Sequence, residues 1–464
     1  MNKYRKLLSN TFLFALSSFS SKVLSILLMP FYTSILQPAE SGLAGLVVQT
    51  GNLLLPLVSI GIATAVIRFG LDNAYDKRTV FVNGFAALGI GTVCLLCLYP
   101  LLTLIADIGT YAWLMCLFVV VSTARNLCSQ FVRAKQYTRL YAIDGLLNTL
   151  LMLTFTILFL GPLQLGIIGY VGAIVCADFL SGLFLWSVAN LGKYFRISYF
   201  NRGVFAEMLR YSLPLVPASM LWWITNASDR YLIKIMTSLE TNGLYDLAYK
   251  IPGIVVMFST IFTEAWQLSA VSEDRGKGRV TFFSNVFLSY QAVVFCVGSG
   301  LIYFCQLGIK LLAPTNPAYH AAWQYVPLLI IATVYSCFVS FIGSVYMVEK
   351  RSTASLMTML VGAVSNVVLN FVLIPVWGAN GAAFATFFCY FIIFVVRAIN
   401  CRRYIAFDIH PIKMGINTLL LAVQSVMMLM QINLWQVWSG LVLVIVLAIN
   451  FGPLLQSARK LLKK

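Results

Sequence analysis

The sequence predicts an all-α polytopic membrane protein with about 14 transmembrane helices, and two observations support this fold class. First, 60% of the 464 residues are hydrophobic and only 10% are charged, which leaves too few polar groups to cover the surface of a soluble protein. Second, the apolar residues occur in blocks of roughly 20 to 28, the length that an α-helix needs to cross about 30 Å of hydrocarbon. The strands of a membrane β-barrel would instead alternate in runs of about ten residues.

Each apolar block between two polar turns is predicted to be one spanning helix. The first block has a basic start but no cleavage site of small residues, so we expect it to be retained as a helix. The predicted helices cover residues 10–36, 42–69, 79–105, 111–133, 142–161, 166–191, 207–236, 242–270, 281–306, 322–348, 353–376, 380–401, 413–431 and 436–456.

Basic residues occur in the loops on only one side of the predicted membrane. All but six of the 32 Lys and Arg lie in loops and chain ends on that side, and the opposite loops contain none. Cytoplasmic loops are enriched in Lys and Arg, so both termini are predicted to be cytoplasmic. The net charge of +17 then reflects orientation and requires no nucleic-acid partner. The six exceptions are Lys22, Arg125, Arg230, Lys234, Lys250 and Lys310.

Two short patterns recur in both halves of the chain. A Gly-Leu pair at 42–43 and another at 243–244 each open a predicted helix, and LGIIGYVGA at 165–173 is similar to WGANGAAFA at 377–385. Many transporters consist of two related halves with a binding site between them. We therefore predict two six-helix lobes around a central cavity, at 1–200 and 201–410, followed by two additional helices and a basic cytoplasmic tail at 411–464.

Three local motifs make the chain similar to a known family. They are Gly-Leu-Tyr-x-x-Ala-Tyr-Lys at 243–250, the Asp229-Arg230 pair that precedes it, and Gly-x-x-Gly-Ala-Ala at 378–383. With twelve plus two predicted helices in two lobes, the chain resembles the Wzx-type polysaccharide flippases. These belong to the multidrug/oligosaccharidyl-lipid/polysaccharide (MOP) exporter superfamily.

The resemblance implies a V-shaped pair of lobes that works by alternating access. Its substrate would be a polyprenyl-diphosphate-linked oligosaccharide, moved from the cytoplasmic to the outer leaflet for cell-surface polysaccharide assembly. The protein would be a transporter and not an enzyme, located in the cytoplasmic membrane of a bacterium. Its partners would be the lipid-linked substrate, membrane lipids and, as an open alternative, other polysaccharide-assembly proteins.

The deep cations are the candidates for binding such a substrate. Phosphates favour fixed cations in a cavity of reduced dielectric, where charge–charge attraction is stronger than in water. Lys22, Arg125, Arg230 and Lys250 are therefore predicted to hold the diphosphate. Sugars favour amides and aromatic faces, and weaker candidates for sugar contacts are Asn52, Asn126, Asn226, Trp223 and Tyr249.

Each of these residues also has a structural interpretation. Arg230 could pair with Asp229 or Asp246 and hold two helices together. Lys234 and Lys310 lie near the outer interface, where long basic side chains reach into water. The amides are individually more often hydrogen-bonded between helices than bound to a ligand.

No nucleotide-binding motif occurs, so uphill transport would use an ion gradient or the concentration difference of the substrate. We expect no cofactor and no metal site, and coupling to a proton or sodium gradient stays open. The carboxylates considered for this coupling are Asp178, Asp246 and Glu264. Pro30 and Pro217 are predicted hinges, with static kinks as the alternative, because proline removes a helical hydrogen bond.

Other chemistries have little support. The 10 Cys are scattered through apolar segments, and the two His, His320 and His410, lie in loops on opposite sides. Two alternatives remain: an ion-coupled multidrug exporter of the same superfamily and, in a different class, a membrane glycan polymerase. The exporter would need a cavity with net negative charge. The polymerase would need a large external loop with catalytic Arg or His.

Overall fold

The computed structural model describes residues 26–72, 74–272, 278–349 and 351–462, and every regular element within these ranges is a helix. By the contacts between their residues, they form two compact units, one ending at Ala227 and one beginning at Ser228. The division falls inside a single helix, Leu215–Met236. The all-α fold class predicted from composition is confirmed.

The first unit contains eight helices and the start of a ninth within its described part. They are α1 (Met29–Ile35), α2 (Pro38–Val58), α3 (Ile62–Leu71), α4 (Lys77–Thr103), α5 (Ala112–Ala134), α6 (Thr138–Leu160), α7 (Gly166–Val188), α8 (Arg202–Ser212) and the first part of α9 (Leu215–Met236). Short 3-10 turns precede α5 at Gly109–Tyr111 and lie between α7 and α8 at Leu191–Lys193 and Ile197–Tyr199.

The second unit continues from α9 to the end of the described chain. Its further helices are α10 (Leu239–Ala248), α11 (Lys250–Ser272), α12 (Arg279–Tyr303), α13 (Cys305–Leu312), α14 (Val326–Val348), α15 (Ser352–Trp377), α16 (Ala379–Cys401), α17 (Pro411–Leu429) and α18 (Trp435–Leu462). A 3-10 segment, Pro317–Tyr325, leads into α14.

Eleven helices of the described ranges are long and apolar enough to cross a membrane. They coincide with eleven of the 14 predicted spans. Of the other three, the predicted helix at 10–36 lies largely outside the described residues. The seventh and eighth predicted spans correspond to α8–α9 and α10–α11, which contain the charged residues considered below.

Three of the predicted continuous helices, at 42–69, 207–236 and 242–270, are each two helices in the structure. Between α2 and α3, Ile60 and Gly61 adopt left-handed backbone angles (φ 52° and 63°), which end one helix and start the next in a new direction. The break between α10 and α11 comes shortly before Pro252, which lies in the first turn of α11, where its missing N–H costs nothing. Hydropathy alone does not show such breaks, because the apolar run continues through them.

The close contact between α2 and α4 in the first unit depends on a glycine of α4. A Cβ added at Gly91 of α4 would lie 1.7 Å from the carbonyl oxygen of Val58 in α2. Backbone atoms cannot move away as a side chain can, so only glycine permits this crossing.

A buried arginine joins three helices of the second unit. The sequence suggests that Arg397 belongs to the basic cytoplasmic residues, but in α16 it is only 4% exposed. Its guanidinium group donates to Thr358 Oγ1 (3.0 Å), to the carbonyl oxygen of Val339 (2.8 Å) and to Ser355 Oγ (3.2 Å). Arg397 therefore links α14, α15 and α16 through neutral acceptors.

The last two helices are attached to the second unit by polar contacts. Gln424 of α17 accepts from Ser299 Oγ of α12 (2.8 Å) and donates to Ser439 Oγ of α18 (3.1 Å). Asn450 of α18 donates to Asn417 of α17 (2.8 Å). Hydrocarbon offers no hydrophobic drive for helix association, so such buried amide contacts provide specific pairing.

Candidate functional site: buried charges of the two units

The first unit contains a buried charge cluster built around Arg125 of α5. Its Nη2 lies 2.9 Å from Asp144 Oδ2 of α6, and its Nη1 lies 3.4 Å from Asp178 Oδ1 of α7. Its Nε donates to Ser181 Oγ at 2.9 Å, and Ser181 in turn donates to Asp144. One guanidinium group is thus held by groups from two neighbouring helices.

The two carboxylates of this cluster are also bound by neutral donors. Asp178 accepts from Asn148 Nδ2 at 2.9 Å and from the hydroxyl of Ser122. The side chain of Asp144 is only 2% exposed and that of Asp178 is 11% exposed. With two acids and one guanidinium group, the cluster has a formal charge of −1 when all three groups are ionised.

From the sequence, Asp178 is one of the carboxylates considered for ion coupling, and Arg125 is a predicted ligand of the diphosphate. The structure brings these two residues together and adds Asp144, which sequence reasoning missed. The sequence does contain a pattern that indicates a polar face on this helix, because Asp144 and Asn148 are four residues apart and so share one face of α6.

A second charge cluster lies where α9, α10 and α11 meet in the second unit. Arg230 of α9 forms an ion pair with Asp246 of α10 through its Nε, and its guanidinium carbon lies 4.8 Å from the ring centre of Tyr249. Of the two carboxylates that could pair with Arg230, the structure selects Asp246. A planar guanidinium group suits this combination of a carboxylate and an aromatic face.

Lys250 follows Tyr249 at the start of α11 and is half-buried. Its ammonium group is attracted by Asp246 and repelled by Arg230. Among the described residues, no carboxylate oxygen lies within ion-pair distance of it, because Asp246 is engaged by Arg230. Lys250 is therefore a partly accessible cation that has no salt bridge within the part of the chain that the structure describes.

Asp229, next to Arg230, faces a different set of partners. Its carboxylate accepts from Asn370 Nδ2 of α15 (2.7 Å), Thr386 Oγ1 of α16 (2.5 Å) and the hydroxyl of Tyr245 (3.2 Å). The residue is 1% exposed. Burial of an ionised carboxylate is costly, and here neutral donors offset the cost where a direct salt bridge would otherwise be expected.

More polar oxygens surround Asp229. Asn366 Oδ1 accepts from Asn370 (3.1 Å) and from Ser228 Oγ (2.9 Å), and the carbonyl oxygen of Ala382, 3.0 Å from Thr386 Oγ1, is the alternative acceptor for the single hydroxyl proton of Thr386. Asn370 Oδ1 is buried and has no hydrogen-bond partner among the described residues. A single acid among hydroxyl, amide and carbonyl oxygens provides suitable ligands for one proton or one hard monovalent cation.

The described residues contain no group of three or more His, Cys, Asp or Glu that could hold a metal ion. Sequence reasoning named Asp229 only as a partner for Arg230. Asn366 and Asn370, the amides that surround Asp229, are four residues apart on α15. This spacing in the sequence indicates a shared polar face of the helix.

The other predicted residues occupy varied positions. Lys22 lies outside the described residues, as do the side chains of Asn226 and Glu264. Asn52 is half-buried in α2, and Asn126 is exposed and accepts from Gln130 at 3.4 Å. Trp223 donates through Nε1 to the carbonyl oxygen of Gln49 at 3.0 Å, which fixes its ring on α2.

The two predicted hinge prolines lie near helix starts. Pro30 is the second residue of α1, which follows a turn at Leu28 with backbone angles of φ −77° and ψ −12°, and Pro217 is in the first turn of α9. Proline is well tolerated at such positions because the first N–H groups of a helix have no intrahelical acceptor.

Comparison with known proteins provides a family and a fold. The family model of polysaccharide biosynthesis proteins matches residues 7–267. A structure of the lipid II flippase MurJ in an inward closed conformation is similar, with a TM-score of 0.74 at 13% identity, covering 96% of this chain and 99% of that chain. Among curated proteins, none matches the chain by sequence.

Two further structures share the fold. An inward-facing multidrug resistance MATE family transporter of the MOP superfamily gives a TM-score of 0.69 at 14% identity, covering 82% of this chain and 95% of that chain. A MOP superfamily transporter from Pyrococcus furiosus gives 0.56 at 15% identity, covering 84% of this chain and 95% of that chain.

Proposed function

Because the chain belongs to the polysaccharide biosynthesis protein family of the MOP superfamily, we propose that it flips a polyprenyl-diphosphate-linked oligosaccharide from the cytoplasmic to the outer leaflet. It is a membrane transport protein and not an enzyme. We infer that it acts by alternating access in the cytoplasmic membrane of a bacterium, with both termini cytoplasmic, in the assembly of a cell-surface polysaccharide.

The observation that carries this proposal is the cation pair of the second unit. Arg230 is oriented by Asp246 and Tyr249, and Lys250 beside it has no salt bridge of its own among the described residues. Asp246 already neutralises the charge of Arg230, so Lys250 supplies the net positive charge that attracts a diphosphate, and charge-assisted hydrogen bonds are the strong ones. An organic cation, the cargo of a multidrug exporter, would be repelled by Lys250.

The parts of the substrate have different requirements. The polyprenyl tail is apolar and remains in the lipid, so the protein must provide a path only for the diphosphate and the sugars. In the second unit, the ring of Tyr249 lies directly beside the cations and supplies an aromatic surface for a sugar. Arg125 of the first unit is already bound by two carboxylates, so its contribution to phosphate binding requires one of those contacts to open.

We further propose that Asp229 couples transport to a proton or sodium gradient. Its carboxylate contacts α10, α15 and α16, so binding of a cation changes the contacts between four helices at once. The neighbouring Arg230 is part of the cation pair, so charge at Asp229 acts directly on the substrate site. Asp178 and Asp246 are less suited, since each is already paired with a guanidinium group.

The function is tested with proteoliposomes that contain the full chain and a fluorescent polyprenyl-diphosphate glycan. Replacing Lys250→Gln removes one charge-assisted contact, which should slow flipping about ten- to a hundredfold. Lys310→Gln is the matched control, because this lysine is exposed in α13 and we expect normal rates. Normal flipping by Lys250→Gln, or export of an organic cation by the wild type, would contradict the proposal.

Coupling is tested in the same vesicles with an imposed sodium or proton gradient. Asp229→Asn keeps the shape of the side chain but removes its charge, so we expect flipping that no longer responds to either gradient. Asp107→Asn, at an exposed loop position, should respond as the wild type does. A gradient response retained by Asp229→Asn would place the coupling site elsewhere.

A further inference from the structure

The segment between α7 and α8, residues 191–202, has two different sides, and we call it the interfacial linker. It begins three residues after Val188, where α7 ends. Because α7 is long and apolar enough to cross a membrane, we expect the linker to begin within a few residues of the bilayer edge. Its two 3-10 turns keep it compact and close to that edge.

One side of the interfacial linker is fastened to the ends of neighbouring helices. Tyr194 accepts from Lys135 Nζ at 2.5 Å, and Tyr199 accepts from Arg78 Nη1 at 3.0 Å. Asn201 exchanges two hydrogen bonds with the buried side chain of Asn83, at 3.1 and 3.2 Å. These contacts tie the linker to α4 and to the chain just after α5, and they set its orientation.

The other side combines apolar and basic side chains. Ile197 is 87% exposed, Phe195 is 44% exposed and Phe200 is 42% exposed. Phe195 packs edge-on against Trp186 at the end of α7, so this apolar surface continues onto a helix that is long and apolar enough to cross a membrane. A water-exposed isoleucine between two half-exposed phenylalanines is unfavourable unless another apolar phase covers them.

Lys193, Arg196 and Arg202 are interspersed among these apolar residues and are exposed, and Lys193 Nζ also lies 5.3 Å from the ring centre of Tyr194. The segment has no acidic residue. The nearest acid in sequence, Glu207, accepts a hydrogen bond from the hydroxyl of Tyr75 at 2.7 Å. Three cations interleaved with three apolar side chains match the boundary of a bilayer that contains anionic headgroups.

We propose that the interfacial linker is a binding site for anionic membrane lipids. Its basic side chains contact the phosphate headgroups, and Phe195, Ile197 and Phe200 enter the acyl region. Lipid contact at this position fixes the start of α8 relative to the membrane surface. The proposal does not depend on the identity of the transported substrate, because it rests on linker residues that are not among the proposed substrate ligands.

The test is hydrogen–deuterium exchange of the full chain in nanodiscs of phosphatidylcholine alone or mixed with phosphatidylglycerol. We expect slower exchange of linker amides in the anionic discs. In Lys193→Gln/Arg196→Gln/Arg202→Gln, the added protection should fall by roughly fivefold for each neutralised charge, or about 100-fold in total. Ile197→Ser should reduce the protection in both kinds of disc, because it removes the apolar contact.

Arg402→Gln/Arg403→Gln is the matched control, since both side chains are exposed at another helix end. This control variant should leave the exchange of the linker amides unchanged. The control and the triple linker variant should both elute as folded, monodisperse protein. Equal exchange in the two kinds of disc would overturn the proposal. So would equal protection by inorganic phosphate added to phosphatidylcholine discs, which would indicate a site for free phosphate.

Discussion

At the scale of single residues, the buried charges differ in how they are neutralised. Arg125 and Arg230 each contact carboxylates from neighbouring helices, whereas Asp229 is held by neutral donors and Lys250 has no ion pair among the described residues. Removing one partner of a buried pair leaves an uncompensated charge, which costs more than the pair itself contributes. Lys250 is therefore the member of the cation pair that is available to a ligand as it stands, whereas Arg230 is held by Asp246.

Arg125→Ala should therefore destabilise the protein by about 3–5 kcal/mol, because Asp144 and Asp178 would remain buried without their cation. The double variant Arg125→Ala/Asp144→Asn restores the formal charge of the cluster and should recover much of that loss. Thermal unfolding in detergent measures both, and Arg139→Ala, at an exposed position, is the control. If the double variant is stable but does not flip substrate, Arg125 also takes part in transport. If Arg125→Ala is as stable as the wild type, the structural role of Arg125 is contradicted.

At the scale of helices, breaks and close crossings determine how the elements pack. The left-handed residues Ile60 and Gly61 divide one apolar block into α2 and α3, and the glycine at position 91 allows α2 and α4 to touch through their backbones. Gly61 adopts its left-handed angles without steric cost, and Gly91 fits the crossing because it has no Cβ; neither glycine changes the hydropathy of its segment noticeably.

Two glycines of α4 provide a matched test of the crossing. Gly91→Ala places a methyl group against the carbonyl oxygen of Val58, so the helices must separate, and we expect a loss of about 2–4 kcal/mol. Gly89→Ala, two residues earlier in the same helix, meets no atom within 4 Å and should be neutral or stabilising by up to about 1 kcal/mol. Similar melting temperatures for both variants would show that α2 and α4 are not tightly packed in the membrane.

At the scale of the whole molecule, charge asymmetry predicts orientation. The one-sided distribution of Lys and Arg between the predicted spans gives each loop a definite predicted side. Within the described residues, eleven helices are long and apolar enough to cross a membrane. The structures of the lipid II flippase MurJ and the MATE family transporter share the fold over most of the chain, with TM-scores of 0.74 and 0.69, and the sidedness of the loops stays a prediction.

Orientation is tested with an impermeant thiol reagent on intact cells. In a background without the exposed cysteines Cys94 and Cys97, a cysteine at Glu240 should react from outside, because its loop contains no basic residue. A cysteine at Arg402, on the basic side, should react only after the membrane is opened. Labelling of the Arg402 position in intact cells would reverse the predicted orientation.

The sequence by itself determined the fold class, the approximate spans and the predicted sidedness, because these depend on local composition. A spanning segment must satisfy its backbone hydrogen bonds internally, so an apolar block of sufficient length has little choice but to form a helix. The deep cations also stood out in the sequence, since charges are rare inside apolar blocks. The family resemblance drawn from the motifs at 243–250 and 378–383 was confirmed.

Only the tertiary structure decided which charges meet. Asp229 contacts Asn370 and Thr386, which are 141 and 157 residues away, and Arg125 contacts Asp178 across 53 residues. Hydropathy and charge patterns report what each helix contains, but the rotation of a helix about its axis determines which face meets its neighbour. That rotation depends on packing of all helices together, so the sequence left Arg230 with two possible partners and the structure selected Asp246.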